Sequence, residues 1–176
     1  MKEPNLTLIA LGKIFYRHRS LIALPFFLLL LFLAKPDGKS ILPHLLIFSG
    51  IIIRLWSAGY IGEKARGRKI TAEFRIISGP YHILRHPLYI GNFFLVSGMI
   101  LLFNPTFWFA LLLIIIFLFE YSIIIFAENY ILKNLPEKKF RFSFKNLKGE
   151  ISTIIIVVII YTLYFFIIPI LRQCTE

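Results

Sequence analysis

The sequence predicts an all-α fold: one polytopic transmembrane helical bundle of about five spans. Three observations lead there. The 176-residue chain is 58% hydrophobic, with a mean hydropathy of +0.79. Only 16% of its residues are charged, against about 25% in a soluble domain. Its apolar residues also fall into runs near the ~20 residues that cross a bilayer as a helix, separated by short polar or basic stretches. A chain of this length reads as a single domain, 1–176.

The elements follow in order. Within residues 1–19, Leu6, Ile9, Ala10, Lys13, Ile14 and Arg17 have the spacing of an amphipathic helix, expected to lie on the membrane surface. The first span covers Ser20–Ala34 and is short, so its helix is expected to reach back past Arg19, whose long stem can snorkel. Lys13, Arg17 and Arg19 precede Leu21–Ala34, but no small-residue cleavage site follows; the segment reads as a retained helix. Lys35–Lys39 is a turn. The second span, Ile41–Gly62, contains Arg54, and a basic loop follows to about Leu84. The third span is Leu88–Phe103, closed by the tight turn Asn104-Pro105. The fourth, Thr106–Ala127, contains Glu120. A second basic segment, Glu128–Glu150, leads into an additional span, Ile151–Leu171.

Loop charge orients these spans. The N-terminal segment, the 63–88 loop and the 128–150 segment carry 4, 6 and 6 Lys and Arg; the 35–39 turn, the 104–105 turn and the tail carry 2, 0 and 1. The expectation is an integral membrane protein whose N-terminus and two long loops are cytoplasmic, with the C-terminus on the opposite side. The net charge of +11 then opposes anionic membrane lipids, and no nucleic-acid module pattern is present. Cys174 is the sole cysteine, which excludes an intrachain disulfide and a cysteine metal site. His82 and His86 are spaced i, i+4, but His18 and His44 lack a companion at ligand spacing, so no metal site is expected. No G-x-G-x-x-G or Walker-type loop occurs.

Chemistry concentrates in Ser78–Gly91, which packs two histidines, an arginine and two tyrosines into fourteen residues at a predicted membrane surface. Ser78-Gly79-Pro80 is a turn signal. Pro87 favours a helix start there, with His86 before it in an extended geometry. Such a start directs backbone N–H groups and a partial positive charge at the interface, beside Arg85 and His86; together they suit a carboxylate or phosphate. Gly91 lets another group approach closely. An interfacial anchor, with Arg, His and Tyr at headgroup level, explains the same residues. Arg54 is a charge inside a span, a functional or structural-pair residue by default, or one that snorkels. Glu120 needs a partner, for which Arg54 is the obvious candidate. Glu128 is eight residues on, near the same helix face, at the level of Arg85 and His86.

Gly79-Pro80-Tyr81-His82-Ile83-Leu84-Arg85-His86-Pro87-Leu88-Tyr89-Ile90-Gly91 resembles the G-P-Y-x-x-x-R-H-P-x-Y-x-G signature of the isoprenylcysteine carboxyl methyltransferase and phospholipid methyltransferase superfamily. Gly50–Ala58 resembles its G-x-x-x-R-x-W-A helix, and Ala127–Leu132 the A-E-E-x-x-L start of its last cytoplasmic helix. The resemblance covers about residues 45–140. It implies an integral membrane methyltransferase that holds S-adenosyl-L-methionine in a cytoplasmic pocket and takes a lipid or prenylated substrate from the bilayer. Carried over by position, Tyr81, Leu84, Arg85, His86, Pro87, Tyr89 and Gly91 would line the cofactor site, with Glu128 and Asn129 beside them. Glu128 and Arg85 are the candidate catalytic residues; Arg54, Trp56 and Glu120 are candidate substrate contacts. Asn129 stands where the family has a second glutamate, and Leu135–Lys139 lacks the glycine and tyrosine of its F-G-x-x-Y. Two other readings stay open. One is a nicotinamide-dependent membrane reductase, since membrane sterol reductases carry a related R-H-x-N-Y-x-G segment. The other is a non-catalytic binding protein of the same fold.

Overall fold

The computed structural model describes residues 6–35, 40–61 and 73–167. Residues 1–5 of the N-terminal segment, residues 36–39 of the 35–39 turn, residues 62–72, the end of the last span with Pro169, and Cys174 lie outside the described residues.

Four helical stretches among the described residues are long and apolar enough to cross a membrane: Leu6–Phe32, Leu42–Ile61, Phe107–Leu132 and Phe144–Phe166. A fifth apolar helix, Pro87–Phe103, has 17 residues, about 25 Å at 1.5 Å per residue. The chain is a polytopic all-α bundle in which large apolar side chains such as Leu28, Phe48, Ile115, Phe119 and Ile155 face outward, as a lipid-facing surface requires.

Helix α1 spans Leu6–Phe32 without a break. The surface segment expected at 1–19 and the first span are thus one helix. Ile9, Gly12 and Tyr16 are buried, and a Cβ on Gly12 would lie 2.4 Å from the Ala127 side chain, so this face packs on α5 (Phe107–Leu132). Helix α2 is Leu42–Ile61 and pairs with α4, Pro87–Phe103. In lipid no hydrophobic force drives helices together, so close approach through small residues does the work. Gly50 meets the Gly91 carbonyl and Leu95; Gly98 meets the Pro43 carbonyl and Ile47. A Cβ on Gly50 would sit 2.9 Å from the Gly91 carbonyl oxygen and 3.0 Å from the Leu95 nitrogen, backbone atoms that cannot step aside. Gly50→Ala should therefore lower stability by about 1–3 kcal/mol, read as a lower unfolding midpoint in detergent; an unchanged midpoint would contradict this α2–α4 register.

Contacts between the α2–α4 pair and the α1–α5 pair are sparse. At one end they close over an apolar core that includes Leu30, Ile47, Phe103, Leu113, Ile160 and Tyr164. Two turns are tied together there. Asn104 takes a left-handed conformation (φ 45°), its N–H donates to the Ile100 carbonyl (3.0 Å), and its side chain donates to the Lys35 carbonyl (3.2 Å).

At the other end the two basic segments meet. A two-residue parallel ribbon pairs β1 (Arg75–Ile76) with β2 (Glu137–Lys138), Arg75 pairs with Glu137, and Lys138 lies over the Phe74 ring. Short helix α3, Pro80–Ile83, follows Gly79, whose φ of 58° and contact with the Tyr60 ring leave no room for a Cβ. Helix α5 runs to Leu132, past the expected boundary at Ala127; Glu128 and Asn129 sit on its last turns rather than on a separate helix. The last span is built from a 3₁₀ stretch, Phe144–Glu150, then α6, Ile151–Thr162, then a π-helical turn, Leu163–Ile167.

Candidate functional site

Between the two helix pairs, at the end carrying the basic segments, lies a cavity of about 1130 Å³. Its lining brings polar Arg54, Tyr81, Arg85, His86, Tyr89, Glu120, Glu128 and Asn129 together with apolar Val96, Met99, Phe117 and Val157. So Tyr81, Arg85, His86, Tyr89, Glu128, Asn129, Arg54 and Glu120 share one cavity. Leu84 and Pro87 shape the α3–α4 connection without lining it. Gly91 serves packing instead: Arg54 and Gly50 of α2 lie against it. Trp56 is 40% exposed and outside the cavity, on the outer face of α2.

The helix start at Pro87 forms as expected, with His86 at the cap. Its donor set is smaller than expected. Pro87 has no N–H, and the N–H groups of Tyr89 and Ile90 both donate to the His86 carbonyl (3.1 and 3.3 Å). Beside this helix start, Arg85 is exposed, lines the cavity and has no ion-pair partner among the described residues.

His86 has a polar neighbour at each ring nitrogen. Nε2 is 3.0 Å from Asn129 Oδ1, and Nδ1 is 3.1 Å from Glu128 Oε2, an ion-pair distance without hydrogen-bond direction. The ring stacks on Tyr89 at 5.5 Å. Asn129, the departure from the superfamily pattern, therefore still partners His86. Two buried polar atoms here have no hydrogen-bond partner among the described residues: the Tyr81 hydroxyl and Glu128 Oε2. Burial, and secondarily the Glu128 carboxylate, push the Tyr81 phenol above its ordinary range, which keeps it a neutral donor at physiological pH. A buried donor and a buried acceptor without hydrogen-bond partners among the described residues, beside Arg85, fit a ligand bearing both acceptor and donor or cationic groups.

Arg54 does not pair with Glu120. Its Nε and Nη2 donate to the two carboxylate oxygens of Glu150, both at 2.9 Å, and Thr153 Oγ1 donates to the same carboxylate at 2.8 Å. The cause lies one turn along α2. The Phe142 ring occupies the space a Gly59 side chain would fill, and the Ser143 N–H and Asn146 side chain donate to the Gly59 carbonyl (3.0 and 2.9 Å). This clamp runs the 3₁₀ stretch along α2 and delivers Glu150 to Arg54. Glu120, 7% exposed, keeps Oε1 without a hydrogen-bond partner and shares the cavity wall with Arg19 of α1.

Sequence reasoning missed Glu150, Asn92 and Tyr121. Arg54 donates to Asn92 Oδ1, and Asn92 Nδ2 donates to the Tyr121 hydroxyl at 2.9 Å. A polar residue within a span was the available signal for Asn92. Among the described residues no group of three or more His, Cys, Asp or Glu is placed to hold a metal ion.

The phospholipid methyltransferase family profile matches residues 39–138, spanning α2 to β2. Among curated proteins, the nickel-cobalt-cadmium resistance protein NccN of Alcaligenes xylosoxydans xylosoxydans is 36% identical over 85 residues, 48% of this chain and 37% of that protein. The match thus spans little more than a third of that relative's length. No solved structure matches the chain.

Proposed function

The chain belongs to the phospholipid methyltransferase family, within the isoprenylcysteine carboxyl methyltransferase-like membrane methyltransferases, and from that premise we propose that it uses S-adenosyl-L-methionine to methylate a lipid or prenylated substrate at the cytoplasmic membrane interface. One observation carries the reading: Arg85, without an ion-pair partner among the described residues, shares one cavity with the Tyr81 hydroxyl and Glu128 Oε2, buried atoms without a hydrogen-bond partner there, and with apolar Val96, Met99, Phe117 and Val157. That combination suits a polar cofactor beside an apolar chain.

The cofactor, when bound, supplies a methyl group already activated on a sulfonium. The remaining work falls to this chain. Arg85 would hold the cofactor's carboxylate, and the stacked His86–Tyr89 pair gives the cation an aromatic neighbour. Displacement at an activated carbon asks mainly for alignment and exclusion of water, to which the apolar part of the lining would contribute. Glu128 would accept a proton from an amine acceptor; a carboxylate acceptor needs no base. Glu128→Gln is accordingly expected to slow transfer to an amine about 10²–10⁴-fold and to leave transfer to a carboxylate within a few-fold. Turnover of labelled cofactor against each acceptor class measures this, and equal loss on both classes would contradict the assignment of Glu128 as a base. The family match favours methyl transfer over the nicotinamide reductase reading, and a thermal shift with each cofactor separates the two.

A further inference from the structure

The chain of hydrogen bonds behind Arg54 has a direction. An arginine side chain only donates. With Nη1 of Arg54 facing the Asn92 side chain, the amide must present its oxygen to Arg54 and its NH₂ to Tyr121; the flipped amide would oppose two donors. The Tyr121 oxygen therefore accepts, at 2.9 Å, and its own hydrogen has no acceptor among the described residues. Its ring is fixed by stacking on Phe117 (4.2 Å) and an edge contact with Tyr89 (5.2 Å). Both Tyr121 and Asn92 line the cavity. The chain begins at Glu150, which is 1% exposed and lies beyond the residues matched by the family profile.

We infer that Glu150, acting through Arg54 and Asn92, sets the Tyr121 hydroxyl as a hydrogen-bond donor to an anionic oxygen of the methyl-accepting substrate. Tyr121 is then a substrate-binding residue, and Glu150 a positioning residue supplied by the segment that follows the family-matched region. Calling the ligand the methyl acceptor rests on the proposed function; the donor site itself does not. The oxygen belongs to a phosphate ester or a carboxylate, and two soluble probes distinguish them: a dihexanoyl phospholipid and an N-acetylated farnesylcysteine.

The test is calorimetric binding of each probe to the full-length protein in detergent, without cofactor. Wild type is expected to bind one probe or both, and Tyr121→Phe, which removes one oxygen from an otherwise intact ring, to weaken that binding about tenfold or more. S-adenosyl-L-methionine affinity should be unchanged in the same variant. Glu150→Gln should weaken probe binding in the same direction, and the double variant should bind no more weakly than Tyr121→Phe alone; a merely structural effect of Glu150 would add. Unchanged probe affinity in Tyr121→Phe, or no binding of either probe by folded wild type, overturns the inference. Failure of wild type to bind S-adenosyl-L-methionine would instead overturn the proposed function and leave the probe result standing.

Discussion

Glu150→Ala is expected to destabilise the protein by about 3–5 kcal/mol, because it leaves a buried guanidinium without its counter-charge. The Arg54 side chain is 11% exposed and that of Glu150 is 1% exposed, and the pair is bidentate. The loss is not confined to one bond. Thr153 loses its acceptor, and Arg54 is released from the position that orients Asn92. Replacing both charges with apolar residues of similar size, Arg54→Met with Glu150→Leu, should recover much of the stability, since a buried ion pair and a packed apolar pair are often comparable. Unfolding midpoints in detergent for the single and double variants check this. A single variant as stable as wild type would show that the pair does not hold the last span to α2.

The second large effect falls on cofactor binding. Arg85→Ala removes an exposed cation that lines the cavity and has no ion-pair partner among the described residues, and should weaken S-adenosyl-L-methionine binding about a hundredfold. Because Arg85 is exposed, the fold should not suffer. His86→Ala should weaken binding as well, for a different reason: the ring is the shared neighbour of Glu128, Asn129 and Tyr89. Unchanged affinity in both variants would sink the site assignment.

Much of this was legible in the chain because lipid imposes simple rules. Uninterrupted apolar runs must be helices, so the spans could be counted. Pro87 can start a helix but not continue one, so α4 begins there. What could not be read depended on which helices become neighbours. Arg54 and Glu120 look like partners in sequence, but the Phe142–Gly59 clamp brings Glu150 instead. Asn92 and Tyr121 sit in ordinary span sequence, and only packing joins them to Arg54. Trp56 follows Arg54 by two residues, yet a helix turns it away to the outer face. Helix α1 was expected to reach back past Arg19, but Arg17 and Arg19 interrupt the apolar pattern, so its full run from Leu6 through the surface segment was not legible; both line the cavity.

The central claim is that this cavity binds an activated methyl donor and serves an acceptor from the bilayer. Purified protein in lipid nanodiscs, given methyl-labelled S-adenosyl-L-methionine and a total lipid extract, tests it most directly. The label should pass to the lipid fraction with wild type and not with Arg85→Ala. Folded wild type that neither binds the cofactor nor labels any lipid would contradict it.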